Sequence, residues 1–275
     1  MDKLDTLQQI FKKMGSVLVA YSGGADSTFL LKVALDSIGE NVLAVTSESE
    51  TYTSHELENA KSVAMDLKAK HVLIHTDELN NKEFIRNTPD RCYYCKKELF
   101  SNLLKIAKEN NINFVVDGAN IDDTRDYRPG HKASLELGIR SPLIEAKFTK
   151  EDIREYSKKF RLPTWDKPSQ ACLSSRVPYG EQITIEKLKK INLAEMYLKN
   201  IGFQNVRVRF YSKELARIEV GKNEIEKANV PEIRNKIVSQ FKKIGFKYIT
   251  LDLEGFRSGS MNEVLDHGDK GNIIH

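Results

Sequence analysis

A doubly wound α/β domain followed by a smaller α+β domain is the architecture this sequence predicts. Three observations carry that prediction. Short apolar runs alternate with helical periodicity through the first half of the chain, the order of elements changes in the last third, and a proline-containing polar stretch separates the two regimes.

In the first half, residues 17–20, 42–45, 72–74 and 114–116 are short, apolar and rich in β-branched side chains, as buried parallel strands are. Between them, 29–35, 55–67 and 96–108 place apolar residues three and four apart, the spacing of amphipathic helices. Strand, helix, strand in that order implies right-handed crossovers and a parallel sheet. A helix over 150–160 closes the region. Beyond it come a helix over 185–200, strands over 206–210 and 215–220, a helix over 231–244 and a strand over 248–253. Two neighbouring strands flanked by helices point to a small antiparallel sheet. The expected organisation is therefore 1–161 as the nucleotide-binding domain, 162–180 as a connector carrying function, and 181–275 as an α+β domain for substrate binding or oligomerisation.

Composition narrows the class of function only a little. With 40% hydrophobic residues in 275, the chain can bury an ordinary core, and no apolar run approaches the roughly 20 residues needed to span a bilayer. A cytoplasmic protein with no membrane partner is expected. A net charge of +4 from 43 basic and 39 acidic residues gives no reason to expect a nucleic-acid partner. The three cysteines, Cys92, Cys95 and Cys172, are an odd number, which favours metal binding or thiol chemistry over a disulfide framework.

In a doubly wound sheet, ligands bind beyond the carboxyl ends of the strands, where the loops beginning at Ser22, Ser47 and Asp117 must lie. The first of these reads Ser22-Gly23-Gly24-Ala25-Asp26-Ser27 and leads directly into helical periodicity. Two glycines let the backbone approach an anion, and the helix start supplies N–H groups and a favourable dipole, so the loop is an anion cradle. It lacks the lysine and the residue spacing of a Walker A loop, so transfer of a γ-phosphate is not the natural reading.

Cys92 and Cys95 form a Cys-x-x-Cys pair, and Cys172 lies in the connector. Two thiolates at that spacing suit one metal or cluster, and a distant third can complete a three-point ligation. Zinc with His75 or His131 as a further ligand, a redox-active Cys92–Cys95 disulfide and inert thiols are the alternatives on spacing alone. Arg207 and Arg209 alternate on one face of a strand, with Arg176 in the connector, and could clamp a phosphate; Glu195 and Glu219 could line the same cavity. A solvated, salt-bridged surface is the competing reading of this set. Asp117, Asp123 and Asp126 could coordinate magnesium or cap turns.

The pattern Ser-Gly-Gly-x-Asp-Ser after a strand resembles the pyrophosphate loop, or PP-loop, of the N-type ATP pyrophosphatases, the superfamily of GMP synthetase, NAD synthetase and tRNA thiolation enzymes. Further segments occur in order along the chain. They are Asp117-Gly118-Ala119-Asn120, Asp126-Tyr127-Arg128-Pro129-Gly130, Cys172-Leu173-Ser174-Ser175-Arg176-Val177-Pro178-Tyr179-Gly180, Val206-Arg207-Val208-Arg209-Phe210 and Thr250-Leu251-Asp252-Leu253-Glu254-Gly255-Phe256-Arg257-Ser258-Gly259. Together they make nearly the whole chain similar to LarE-type sulfur transferases.

That resemblance implies a Rossmann-like PP-loop fold, ATP and Mg²⁺ as cofactors, and a small-molecule nucleotide substrate. Pyridinium-3,5-biscarboxylic acid mononucleotide would be adenylylated on its carboxylates and converted to thiocarboxylates, a step toward the nickel-pincer nucleotide cofactor. It places ATP against Ala20, Ser22, Gly23, Gly24, Asp26, Ser27, Ser47, Gly118 and Arg128, and the substrate against Ser175, Arg176, Glu195, Arg207, Arg209 and Glu219. Cys172, Asp26 and Arg176 would carry the chemistry. Single-cysteine members give up the sulfur of one cysteine, which aligns with Ala171 here, and carry tryptophan where Cys92 stands. Three-cysteine members hold a 4Fe-4S cluster, so the resemblance implies a cluster on Cys92, Cys95 and Cys172, fed by sulfide or another sulfur donor, in a homo-oligomer. A tRNA thiolase using the same ATP chemistry and a non-catalytic nucleotide-binding iron-sulfur sensor are the rival functions. The absence of an RNA-binding appendage in the sequence counts against the first.

Overall fold

The computed structural model describes residues 2–125, 129–168, 171–257 and 259–265. In chain order the first half forms α1 (Lys3–Met14), β1 (Val17–Ala20), α2 (Ala25–Ile38), β2 (Val42–Glu48), α3 (Ser54–Asp66), β3 (Lys70–His75), α4 (Lys82–Ile85), α5 (Arg91–Glu109), β4 (Phe114–Val116), α6 (Pro129–Glu136), α7 (Pro142–Glu145) and α8 (Lys150–Lys159). The remainder forms α9 (Ile185–Asn200), β5 (Val206–Tyr211), β6 (Leu215–Val220), α10 (Ile225–Asn229), α11 (Pro231–Ile244) and β7 (Tyr248–Leu251). Two compact units result: residues 1–78 with 90–170, and residues 79–89 with 171–275.

The first unit is a four-stranded sheet in the order β3-β2-β1-β4, parallel throughout, with Val17 opposite both Val42 and Phe114. Alternation along β1 divides the core between the two faces. Val17 and Val19 join a cluster with Phe29, Leu30 and Val33 of α2, Leu7 and Phe11 of α1, Ala60 of α3 and Ile153 of α8. Leu18 points the other way, into a cluster with Phe100, Leu103 and Ala107 of α5 and Val115 of β4. Helices therefore cover both faces of a parallel sheet, the doubly wound arrangement the alternating pattern predicts.

Two elements differ from expectation. The run Val72-Leu73-Ile74 looks like a buried strand, yet Val72 and Leu73 are exposed, because β3 lies at the sheet edge with a neighbour on one side only. In the second unit the sheet is mixed: β5 and β6 are antiparallel, whereas β6 and β7 run parallel in the order β5-β6-β7. The reason is the connection. A six-residue strand that returns through a short turn must run antiparallel, but β7 follows a long helical crossover through α10 and α11, which permits the parallel direction.

No helix among the described residues is long and apolar enough to cross a membrane.

Candidate active site

β1 delivers the anion loop to the carboxyl edge of the sheet, and its neighbour fixes where the loop begins. The Tyr21 amide donates to the Val45 carbonyl at 2.9 Å, and the Thr46 hydroxyl donates to the Tyr21 carbonyl at 2.7 Å. From there the chain must turn sharply into α2. Gly23 does this with φ +67°, and a Cβ at that position would lie 2.7 Å from the Ala60 Cβ and 2.8 Å from the Ala60 Cα. Only glycine meets both requirements.

Ser27 then closes the loop from inside the first turn of α2. Its hydroxyl accepts from the Ser22 amide at 3.3 Å, donates to the Gly24 carbonyl at 3.3 Å and sits 3.1 Å from the Ser22 hydroxyl. Gly24 is the N-cap of α2 and brings no side chain to the first-turn amides, with Asp26 in that same turn. A fourteen-residue helix thus presents its uncapped amides and the positive end of its dipole at a glycine-lined turn. Such a turn suits phosphate.

Other carboxyl-edge residues lie in the same unit, and one of them packs against the loop. A Cβ on Gly118, just after β4, would lie 3.1 Å from the Ser27 amide nitrogen and 3.4 Å from the Asp26 carbonyl carbon, so the β4 loop is packed against the start of α2. Ser47, at the end of β2, shares a short hydrogen bond with the Thr76 hydroxyl, and Ala20 is half-buried at the end of β1. The Asp117 carboxylate accepts from the hydroxyls of Ser141 at 2.7 Å and Ser134 at 3.1 Å and from the Ala119 amide at 3.2 Å. Asp123 accepts from the Asn120 amide and pairs with Lys150 at 3.0 Å. Both carboxylates cap turns here. Asp126 and Arg128 lie outside the described residues.

Arg176, Arg209, Glu195 and Glu219 belong to the second unit and are buried there as two ion pairs. Arg176 donates Nε and Nη2 to the two Glu195 carboxylate oxygens at 2.8 and 3.0 Å. Its Nη1 reaches back to the carbonyls of Ala171 and, at 2.9 Å, Cys172, and to the Ser175 hydroxyl at 3.0 Å. Arg209 grips Glu219 at 3.0 and 2.7 Å, then donates to the Ser175 carbonyl at 3.1 Å and the Ser260 hydroxyl at 3.1 Å. Two arginines from different elements therefore fix the Cys172–Ser175 turn by its backbone. Burial alone would raise the Glu195 carboxyl, but the Arg176 guanidinium beside it holds it below the usual carboxylate range. Arg207, expected to share a phosphate-binding face with Arg209, is half-buried, donates to the Val206 carbonyl at 2.7 Å and stacks over Phe256.

The three thiols are all unbridged. Cys92 is exposed and Cys95 half-buried, and both lie in α5, which begins at Arg91 rather than near Lys96, so they share one helical face a turn apart. Asp90, following Pro89, is the N-cap residue, without a side-chain capping hydrogen bond. Cys95 donates to the carboxylate of Glu78 at 3.8 Å. Cys172, half-buried, is the N-cap of a short 3₁₀ turn spanning Leu173–Arg176 in the second unit. Among the described residues, no three His, Cys, Asp or Glu side chains converge so as to hold a metal ion.

Two residues that sequence reasoning passes over are prominent here. The Lys167 ammonium donates to the Gly23 carbonyl at 2.9 Å. Asn87, fully buried with φ +56°, donates its side-chain amide toward the carbonyls of Val177, Pro178 and Glu181 at 3.1, 2.7 and 3.0 Å. Neither carries a local motif.

Known proteins bear on this arrangement at three levels. Residues 16–89, which contain the anion loop, match the family model described as queuosine biosynthesis protein QueC. An uncharacterised protein of Synechocystis is 45% identical over 96% of this chain and 98% of its own, and one of Methanocaldococcus jannaschii is 36% identical over 92% and 95%. The pyridinium-3,5-bisthiocarboxylic acid mononucleotide synthase of Lactiplantibacillus plantarum is 42% identical over 96% of this chain and 95% of its own. Likeness of that extent, running through the loop, the connector and the second unit alike, means that the chain belongs to the LarE-type family of N-type ATP pyrophosphatases.

Proposed function

We propose that this protein is an ATP-dependent sulfurtransferase that converts the carboxylates of pyridinium-3,5-biscarboxylic acid mononucleotide to thiocarboxylates. The observation that carries this reading is the loop from Ser22 to Ser27, an anion cradle on an uncapped helix start, in a chain 42% identical over 96% of its length to a synthase of the bisthiocarboxylic acid product. A carboxylate oxygen is a poor leaving group, so the substrate must be activated. The carboxylate attacks the α-phosphate of ATP, the bond to the β-phosphate oxygen breaks and pyrophosphate leaves. A sulfur nucleophile then displaces AMP from the acyl carbon. Loop amides and the dipole of α2 would stabilise charge growing on the leaving pyrophosphate, with Mg²⁺ beside Asp26.

The arginines divide by burial. Arg207 would bind the phosphate of the nucleotide substrate, whereas Arg176 and Arg209, spent on Glu195 and Glu219, would position Ser175 and Cys172. Cys92, Cys95 and Cys172 would hold a 4Fe-4S cluster, a reading supported by three unbridged thiols and by the single helical face shared by the first two. When bound, such a cluster would supply a site at which exogenous sulfide could be held for transfer.

The test is turnover by anaerobically purified protein with iron, sulfide, ATP and the biscarboxylate substrate. The expected result is about four irons per chain, pyrophosphate release matched by thiocarboxylate, and an unchanged intact mass at Cys172 after several turnovers. Conversion of Cys172 to dehydroalanine in step with product would replace cluster delivery by sacrifice of that cysteine. No pyrophosphate with any carboxylate would remove the enzymatic reading.

A further inference from the structure

An anion loop for a triphosphate ordinarily has a cation at hand, and this one contains none: between Ser22 and Ser27 the only charged side chain is that of Asp26. The fold supplies one from elsewhere. Lys167, 144 residues further along the chain and in the same unit as the loop, places its ammonium 2.9 Å from the carbonyl oxygen of Gly23. Its backbone is held by the short turn that follows α8, where the Lys167 amide donates to the Thr164 carbonyl at 3.1 Å.

A structural role accounts poorly for this position. One carbonyl satisfies one of the three ammonium protons. Among the described residues no carboxylate comes within salt-bridge distance of Lys167. Glu56, the acidic group that acts on it, engages the N-terminus of α3, where one carboxylate oxygen accepts from the Thr53 amide and hydroxyl at 3.0 Å each. Burial accordingly pushes the Lys167 ammonium below its ordinary pKa, with Glu56 only partly opposing. A half-buried cation without a carboxylate, touching the backbone of a loop built for phosphate, is placed at a cost that a polyanionic ligand would offset.

We propose that Lys167 binds the β- and γ-phosphates of ATP and neutralises the departing pyrophosphate, so that the connector supplies the cation missing from the loop. A lysine ammonium on its four-carbon stem can turn from the Gly23 carbonyl to a phosphate oxygen without moving its own backbone. The assignment rests on the nucleotide reading given under Proposed function. It adds a residue whose contribution depends on the phosphates beyond the α-position, so ligands with and without those phosphates separate it from a general role in holding the loop.

The experiment is calorimetric binding of ATP, AMP and inorganic pyrophosphate, each with Mg²⁺ and without carboxylate substrate, to the full chain and to its Lys167→Met and Lys167→Arg variants. Charge-assisted contacts of this kind predict a loss of about tenfold or more in affinity for ATP and pyrophosphate in Lys167→Met. AMP affinity should change less than about twofold, and Lys167→Arg should recover most of the ATP affinity. Equal weakening of ATP and AMP would overturn the proposal in favour of a loop-holding role, and unchanged ATP affinity in Lys167→Met would overturn it outright. A wild-type chain that binds neither ATP nor pyrophosphate would instead refute the nucleotide reading and the lysine with it.

Discussion

Replacing Gly23 by alanine tests the loop at the point where its geometry is tightest. Two costs arise. The first is conformational: φ +67° is left-handed, which costs a residue with a Cβ roughly 1 to 2 kcal/mol. The second is steric. The new methyl would stand 2.7 Å from the Ala60 Cβ and 2.8 Å from the Ala60 Cα, and neither atom can swing aside, so α3 or the loop must shift at about 1 to 3 kcal/mol. The sum, about 2 to 5 kcal/mol, is a large share of a domain's stability. Part of it should appear as loss of folding free energy in urea titrations, and part as weakened Mg²⁺–ATP binding, because a displaced loop no longer aims its amides together. Ala60→Gly in the Gly23→Ala background should return only some of the steric share, since the 2.8 Å approach is to the backbone. Wild-type stability and ATP affinity in Gly23→Ala would refute the claim that this turn dictates the phosphate site.

Other expectations follow from the same geometry. Ser22→Ala or Asp26→Ala should abolish ATP-dependent pyrophosphate release while circular dichroism and iron content stay near wild type, and unchanged release in both would contradict the loop's role. Arg209→Met should cost about 1 to 3 kcal/mol in denaturation, because the fully buried Glu219 carboxylate loses its bidentate partner yet keeps Arg217 at 3.1 Å and the Ser260 hydroxyl at 3.3 Å. Arg207→Ala should instead raise the substrate KM about tenfold with little change in melting temperature; equal effects on the KM for ATP would argue for a structural arginine. The depressed Glu195 carboxyl contributes stability that is fully present above its unfolded value of 4.5 and lost as pH falls through its lower folded value. Glu195→Gln should therefore flatten the acid limb of a stability–pH curve. For Lys167 the sign is opposite. Because its free ammonium titrates below the ordinary 10.5, ATP affinity should weaken as pH rises toward that value, and the loss should be smaller in Lys167→Arg.

Legibility in the sequence tracked how local each determinant was. The strand cores at 17–20 and 114–116 and the helices at 185–200 and 231–244 coincide with the elements formed, because each declares itself through a short-range pattern. The anion loop is legible for the same reason: its glycines, serines and aspartate are contiguous. What the sequence hid is everything settled by distant partners. Val72 reads as buried and is exposed because edge position is a property of the sheet, not of the strand. Arg209 reads as a phosphate clamp beside Arg207, and its burial against Glu219 and Ser175 cannot be read from its own strand because both partners come from other segments. Residues 3–14, where no element is expected, form α1, whose Leu7, Phe11 and Met14 are buried in the core of the first unit.

The excursion of residues 79–89 into the second unit has a consequence for any attempt to divide the protein. Ile85 accepts from the Ile183 amide, the Asn87 carbonyl accepts from the Gly180 amide, and the Asn87 side chain spans the carbonyls of Val177, Pro178 and Glu181. A gene fragment beginning at residue 171 would thus encode a body with a missing spine, its turn at 177–181 left with unanswered polar groups. Conversely, a protease that severs the chain near residue 170 should not liberate two independent products, because the amino-terminal piece keeps eleven residues embedded in the carboxyl-terminal one. The two fragments should travel together through gel filtration and part only in denaturant, making the halves of this molecule separable by chemistry but not by scissors.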